Sequence, residues 1–145
     1  NEAPLSPAST KSPHIPILIG GNCEKRTLRT CAKSGDFFNL DFWHPGGVDV
    51  FKHKADVVVR HCESFNRDPA EVKRTVCLPF RLFETEQEFK AAKGMPWYCW
   101  GTVPAIQDLL GDYIEAGAQE IMLCAVPNKP EAWQRIDEEI LSVFD

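Results

Sequence analysis

The sequence has no long apolar stretch and no excess of positive charge, and each absence excludes a class of partner. Nowhere do about eighteen apolar residues follow one another, as a membrane-spanning helix requires. The 16 basic residues are scattered among 21 acidic ones, giving a net charge of -5, so the basic surface that binds nucleic acid is missing. Residues 1–15 also lack the charged and then apolar layout of a signal peptide. We therefore expect a cytoplasmic protein that binds neither membranes nor nucleic acid.

Metal-binding and redox motifs are missing as well, although the chain has 6 cysteines. None of them forms a CxxC pair or stands at zinc-finger spacing from a histidine, so we expect no metal ion. Cys77 and Cys124 lie in apolar runs typical of strands, and Cys31 and Cys62 lie on helical faces. Cysteine behaves as a small hydrophobe in such places. The pattern predicts buried free thiols rather than disulfides.

The chain divides into a short lead-in and one folded domain. Residues 1–15 are rich in Pro, Ser and Thr and show no periodicity, which predicts an extended segment before a domain at 16–145. The chain begins with Asn1 rather than methionine, and we expect it to be a piece of something longer.

Four apolar runs alternate with four amphipathic stretches along the domain. The predicted strands are Ile17–Ile19, Phe37–Leu40, Arg74–Phe83 and Ile121–Val126. The helices that follow the first, second and third begin near residues 22, 48 and 103, and the fourth is the closing helix that contains Trp133. Such alternation favours the α/β class, with parallel strands and helices outside the sheet. A (β/α)8 barrel needs about 250 residues and eight strands, so four βα units amount to half of one. Half a barrel leaves two open edges, and we expect it to pair with a missing N-terminal half or with a second copy.

Individual residues indicate where these elements begin, bend and end. Asn22 is placed to cap the first helix, Thr85 a short helix that runs to Ala92, and Thr102 the helix at about 103–116. Gly117 is placed to end that helix in a left-handed conformation. The apolar positions of the closing helix are Trp133, Ile136, Ile140 and Phe144.

The turn after the first strand is the main candidate site. Gly20, Gly21 and Asn22 lead from the strand into the helix, where free backbone N–H groups and the helix dipole favour an anion such as phosphate. Arg26 and the hydroxyl of Thr27 would add donors to the same anion. The alternative from sequence pattern alone is a tight βα turn that binds nothing, with Thr27 facing solvent.

Polar residues near the second strand are weaker candidates. Asn39 lies towards the strand end, the face on which barrel active sites are built, so its amide is a candidate for contact with a cofactor ring or substrate. A capping or turn role is the alternative. His44 follows in a loop, where a lone histidine is usually solvated. His53 and His61 are too far apart on one helix to share a metal, and we expect them at the surface.

Two further groups permit both a functional and a structural interpretation. Arg74 and Arg81 on the third strand would either meet an anionic substrate or support the fold. The aromatic loop containing Trp97, Tyr98 and Trp100 would either cover a ligand or form a local core.

Several of these segments resemble one protein family. The residues PILIGGNCEKRTLRT at 16–30, followed by GDFFN at 35–39, resemble the PxxIGGxGExRTLRxxAxxADxWN stretch of the luciferase-like monooxygenases. Later stretches agree in order and spacing, namely Arg60–Glu63 with Arg67–Glu71, and Gly101 and Thr102 ahead of Glu115–Gly117.

The resemblance implies a fold, a cofactor and a site. It implies the fifth to eighth strands of a TIM barrel, coenzyme F-420 or FMN as cofactor, a small-molecule substrate, and a flavin or deazaflavin oxidoreductase activity. The residues implied for cofactor binding are Gly20, Gly21, Asn22, Arg26, Thr27 and Asn39.

This sequence departs from the family pattern in two places and in extent. Cys23 replaces a usual glycine and Phe38 a usual tryptophan. The family's early strands, which carry ring-binding and catalytic residues, have no counterpart here, so the catalytic residues are unknown and the chain is expected to be incomplete as an enzyme. The competing hypothesis is a non-catalytic half-barrel that self-associates and at most binds a phosphate-bearing ligand.

Overall fold

A parallel sheet forms the centre of the fold. The structure is a computed structural model that describes residues 10, 14–41, 46–92, 98–124, 126–127 and 129–144. The strands of the described residues are β1 (Leu18–Gly20), β2 (Phe37–Leu40), β3 (Lys73–Leu82), β4 (Cys99–Gly101) and β5 (Glu120–Cys124). The main sheet has the order β1-β2-β3-β5, and β4 pairs with the far end of β3. All of these pairings are parallel.

Helices connect the strands. They are a π-helical segment (Glu24–Leu28) continued by α1 (Arg29–Ser34), then α2 (Gly47–Ser64), a 3-10 turn (Pro69–Glu71), α3 (Glu86–Ala91), α4 (Val103–Glu115) and α5 (Pro130–Arg135), which continues through a π-helical segment (Ile136–Ile140) and a 3-10 turn (Leu141–Val143). Among the described residues, no helix combines the length and apolarity needed to cross a membrane. The predicted α/β class and its four βα units are confirmed, with β4 as an additional strand.

Pro79 marks the point where β3 exchanges one neighbour for another. From Thr75 to Pro79 the strand pairs with β5, and from Phe80 to Leu82 it pairs with β4. Pro79 is buried, so this proline does not lie at an exposed margin of the sheet. Proline has no N–H to donate to a ladder, and its position coincides with the change of partner.

The two faces of the sheet differ because successive side chains in a strand point in opposite directions. On one face Phe38, Val76 and Leu78 are buried beneath the helices. On the other face Asn39 and Thr75 are paired in register, and Leu18 of β1 is 47% exposed. β1 and β5 each pair with a single described strand. The half-barrel therefore has two open edges and a partly uncovered inner face.

Helix boundaries agree with the sequence in part. Thr85 and Glu88 form a reciprocal capping box, and Gly117 has a left-handed φ of 90°. Thr102 precedes α4 as expected but makes no side-chain cap, since its hydroxyl donates to Glu86 Oε1 at 3.1 Å. The first helix is preceded by Cys23 rather than by Asn22, because the helical conformation begins at Glu24, and Cys23 makes no side-chain cap.

The closing helix buries fewer residues than its sequence period predicts. Ile136 and Ile140 are buried, but Trp133 is 49% and Phe144 is 40% exposed, so the prediction is wrong for these two. A π-helix has i to i+5 hydrogen bonds, and the π-helical segment at 136–140 shifts the phase of the apolar stripe. Residues on either side of this segment no longer share its buried face.

The cysteines are all free thiols, and Cys31, Cys62 and Cys99 are buried. The prediction of buried free thiols is thereby confirmed for Cys31 and Cys62, the two cysteines on helices. Cys77 and Cys124 are partly buried on neighbouring strands. Most of the expected lead-in, residues 1–9 and 11–13, lies outside the described residues.

An aromatic contact between sheet and helices supplies the first prediction. The Phe51 ring of α2 lies 6.3 Å from that of Phe38 and 5.7 Å from that of Tyr113, and Phe51 is fully buried. We expect Phe51→Ala to lower the free energy of unfolding by about 3–5 kcal/mol, because it removes buried surface and leaves a cavity. Urea denaturation measures the loss. The partly exposed Phe144→Ala is the matched control, with an expected loss under about 1 kcal/mol, and equal losses would contradict the assigned core.

Candidate anion-binding turn after β1

Gly21 is the residue whose backbone makes the turn possible. Its φ of 129° belongs to a region that side chains rarely allow, and a Cβ there would lie 3.2 Å from Thr27 Cγ2. Its N–H donates to the Asn39 carbonyl at 3.1 Å, which ties the turn to β2. Gly20 is less constrained, since a Cβ there would be 3.9 Å from Asn39 Nδ2. Asn22 lies half-buried in the same turn.

The backbone N–H groups of the first helical turn converge on the sulfur of Cys23. The N–H groups of Arg26 and then of Thr27 hold the pKa of the Cys23 thiol below its usual value. Cys23 is exposed. The helix start thus stabilises negative charge at one atom of the chain itself, as the dipole argument predicts for a helix N-terminus. Sequence reasoning placed an anion here but did not foresee that this sulfur would lie at the donors.

Arg26 supplies an uncompensated positive charge beside the turn. Its side chain is exposed and makes no ion pair with any residue that the structure describes. Thr27 is half-buried and packs against Gly21, so it does not simply face solvent. The turn therefore combines converging N–H groups with a nearby guanidinium, which is the donor set expected for a phosphate.

Asn39 lies in the strand and on the inner face of the sheet, not in a cap or turn. It is 8% exposed, and its Oδ1 accepts a hydrogen bond from Thr75 Oγ1 at 2.9 Å. Thr75 is fully buried and its hydroxyl also lies 3.0 Å from the Phe38 carbonyl. Thr75 thus fixes the orientation of the Asn39 amide. Sequence reasoning missed Thr75, whose signal was a lone hydroxyl within an apolar strand.

The structure separates the two arginines of β3. Arg74 lies at the start of the strand, where its backbone exchanges hydrogen bonds with Gln119 and its guanidinium lies near Gly117. Arg81 lies at the opposite end, with its guanidinium 4.8 Å from the Phe83 ring centroid. Arg74 therefore supports the loop before β5, whereas Arg81 lies at the carboxyl edge, where barrel active sites are built.

The aromatic residues near β4 form a small cluster. The ring centroids of Tyr98 and Trp100 are 5.3 Å apart, those of Phe83 and Trp100 6.1 Å, and those of Phe83 and Phe89 5.7 Å. These separations are typical of a local core. Two other candidates from the sequence, His44 and Trp97, lie outside the described residues.

Side chains of α2 hold the start of the first helix. His53 Nε2 and Lys54 Nζ lie 2.9 Å and 2.5 Å from Glu24 Oε1, and His61 Nε2 lies 2.8 Å from the Glu24 carbonyl oxygen. His53 is exposed, which confirms the expectation for this residue, whereas His61 is half-buried. Across the described part of the chain, no group of three or more His, Cys, Asp or Glu side chains is arranged to hold a metal.

Solved structures with the same architecture are longer than this chain. The coenzyme F-420-dependent tetrahydromethanopterin reductase from Methanopyrus kandleri has a TM-score of 0.70 at 12% identity, over 90% of this chain and 51% of its own. A coenzyme F-420-dependent secondary alcohol dehydrogenase has a TM-score of 0.69 at 12% identity, over 92% of this chain and 50% of its own. A long-chain alkane monooxygenase has a TM-score of 0.69 at 14% identity, over 90% of this chain and 41% of its own.

The chain has the fold of half such a barrel. It spans about half the length of the structures that it resembles, and these include coenzyme F-420-dependent enzymes and monooxygenases. The fold expected from the family resemblance is thereby confirmed. No protein-family model matches the chain, and no curated protein sequence matches it.

The contacts of Glu24 make the stability of the turn depend on pH. Hydrogen bonds from Lys54 and then His53 lower the pKa of the Glu24 carboxyl from 4.5 to about 2. A depressed pKa in the folded state contributes stability above the ordinary pKa, and this contribution is lost as pH falls from 4.5 towards 2. We expect Glu24→Gln to lower the melting temperature at pH 6 and to flatten its fall between these pH values. Thermal unfolding followed by circular dichroism measures both effects.

Glu115→Gln is the matched control, since Glu115 is exposed and makes no ion pair within the described residues. This variant should follow the parent chain at every pH. If the melting temperatures of Glu24→Gln and the parent chain changed identically with pH, Glu24 would not stabilise the start of the helix.

Proposed function

We propose that this chain is the cofactor-phosphate-binding, C-terminal half of an oxidoreductase that uses coenzyme F-420 or FMN. The single observation that carries the proposal is the turn after β1, where helix N–H groups converge and Arg26 has no carboxylate partner among the described residues. The fold resembles about half of each of several coenzyme F-420-dependent enzymes and monooxygenases, and this similarity supports a flavin-type cofactor. The turn lies at the carboxyl end of β1, as active-site loops of such barrels do.

The residues of the turn fit a phosphate group. Gly21 provides space that a Cβ would fill, and the N–H groups of Arg26 and Thr27 already stabilise negative charge on the Cys23 sulfur. A phosphate would take the place of that sulfur, which is exposed and free to move aside. Gly20, Gly21 and Asn22 would frame the group, and Arg26 would neutralise part of its charge.

Asn39 would contribute from the inner face of the sheet. Thr75 occupies its Oδ1, which leaves the Nδ2 on the side of Gly20 and β1. From that position the amide would donate to the cofactor near its phosphate-bearing chain. A bound flavin or deazaflavin ring supplies hydride exchange with an organic substrate, and the protein supplies binding and orientation.

The rest of the active site would come from a complementary half. β1 and β5 present open edges, and the inner face carries Leu18 at 47% exposure. A closed barrel has no edges and fills its interior with side chains from all of its strands. We propose that an N-terminal half or a second copy of the chain completes the sheet and brings the catalytic residues.

The phosphate site is tested by protection of Cys23 from iodoacetamide. Cys23 is exposed, whereas burial raises the pKa of Cys31 to about 11 and that of Cys99 to about 12. We expect Cys23 to react first, and FMN to slow the reaction, because its phosphate occupies the N–H groups that lower the pKa of the Cys23 thiol. Riboflavin, which has the same ring and no phosphate, should give no protection. Mass spectrometry of the alkylated peptides measures the rates.

Variants of two arginines on one helix sharpen this test. Arg26→Gln should raise the FMN concentration needed for half protection by about ten- to a hundredfold, since a charge-assisted hydrogen bond contributes about 1.5–3 kcal/mol. Arg29→Gln is the control, because Arg29 stacks on the Phe65 ring at 4.8 Å. Equal protection by riboflavin and FMN, or equal effects of the two variants, would overturn the site.

The exposed edge at β1 also supports the competing hypothesis of a self-associating, non-catalytic half-barrel. Experiments can distinguish this hypothesis from the proposed oxidoreductase half. Without a complementary N-terminal half, we expect light scattering at micromolar concentration to give a mass above the 16.4 kDa of one chain. Leu18→Lys should shift the chain towards monomer, because a charged edge strand resists pairing. Ile114→Lys, at an equally exposed position on α4, should not.

A folded monomer of the parent chain would refute self-association without affecting the phosphate site. An oligomer that retains FMN and a substrate but does not turn over would favour the non-catalytic alternative.

A further inference from the structure

Three sulfur-bearing side chains lie on the inner face of the sheet, where β3 and β5 are paired. Cys77 is in register with Met122, and Cys124 lies two residues after Met122 on the same strand. Alternate residues of a strand point to the same face, and Thr75, two residues before Cys77, lies on the inner face beside Asn39. The sulfur cluster, defined as Cys77, Met122 and Cys124, therefore shares that face.

The sulfur cluster does not belong to the core beneath the helices. Its neighbours in β5, Ile121 and Leu123, pack against the buried core from the other face of the strand. Each member of the cluster is instead partly exposed. Cys77 and Cys124 are free thiols. The cluster thus faces the open side of the half-barrel.

The surroundings of Cys77 favour a cation at its sulfur. Burial and then Cys124 raise the pKa of the Cys77 thiol to about 11, and the Asp41 carboxylate contributes to the rise. At neutral pH this thiol is therefore protonated and is a poor nucleophile. The negative charge of Asp41 that favours the proton also favours a metal cation that takes its place.

The ligand types of the sulfur cluster select one kind of metal ion. Thiolates and thioethers are soft ligands, which suit Cu(I). The side chain of Met122 is unbranched and flexible, so its sulfur can adjust to an ion held by the two thiols. Zinc instead takes four ligands from Cys, His, Asp and Glu, and the described residues contain no such group of even three.

We propose that the sulfur cluster binds one Cu(I) ion, with Cys77 and Cys124 as thiolate ligands and Met122 as a thioether ligand. Binding would displace one proton from each thiol and would oxidise neither sulfur. Cu(I) enters and remains as Cu(I). The site uses no residue of the turn after β1, so it is independent of the proposed cofactor function.

Anaerobic titration of the full chain with Cu(I) tests the site, with excess ascorbate to keep the ion reduced and without any flavin. Competition with the coloured chelator bicinchoninate measures the affinity. We expect Met122→Leu to weaken binding about tenfold, because it removes an uncharged ligand. Cys124→Ser should weaken it by at least about a hundredfold, since even groups that only support a metal ligand contribute about 10–100-fold.

Cys23→Ser is the matched control, because Cys23 is also exposed to solvent but lies outside the cluster. It should leave the affinity for Cu(I) unchanged. Arg26→Gln should leave it unchanged as well, so failure of this site is distinguishable from failure of the phosphate site.

Nuclear magnetic resonance identifies the thioether ligand directly. The chain has 2 methionines, so labelling with methyl-13C methionine gives two methyl signals, and Met122→Leu identifies the one from the cluster. Because Cu(I) is diamagnetic, both signals remain visible after it binds. We expect the Met122 signal to move with added Cu(I) and to stop moving at one equivalent.

Three results would overturn the proposal. They are an unmoved Met122 signal at one equivalent of Cu(I), an unchanged affinity in Met122→Leu, and equal affinities of the Cys124→Ser and Cys23→Ser variants. Melting temperatures establish that each variant is folded. If Cys124→Ser proves unstable, Cys77→Ser takes its place in the comparison with the control.

Discussion

The fold depends on β3, because this strand pairs with three of the other four strands of the described residues. Its first half pairs with β2, its middle with β5 and its last three residues with β4. The same strand positions Asn39 through Thr75 on the inner face and carries Arg81 to the carboxyl edge. The placement of Asn39 and of Arg81 thus depends on the register of one strand, and a slip by one residue would turn its side chains to the opposite face.

Local pattern was sufficient to predict much of the fold. The strands of a parallel sheet are typically continuous apolar runs, and Thr85 and Gly117 occupy their expected places at helix ends. β4 was missed because three residues beside an aromatic loop become a strand only by pairing with β3, 19 positions earlier at Phe80 and Cys99. The exposure of Trp133 was missed because a change from α to π geometry leaves no clear mark in residue type.

The candidate site shows the same division between local and non-local information. The glycine turn was predicted because its conformation is set by neighbouring residues, and Gly21 has the left-handed φ that such a turn requires. The contacts that hold Glu24 were not predicted, because His53 and His61 lie 29 and 37 residues further along the chain. Thr75 likewise becomes a positioning residue only once β2 and β3 are in register.

A half-barrel can hold an anion more readily than it can catalyse a reaction. The N–H groups of Arg26 and Thr27 belong to one helical turn and are in place whether or not the sheet is closed. Enclosing a cofactor ring instead requires walls on several sides, and in a barrel those walls come from different strands. The proposed phosphate site is therefore the local part of such an active site, and the non-local part would depend on what covers the edges at β1 and β5. Cofactor binding and turnover are accordingly separable properties of this fold, and the first does not imply the second.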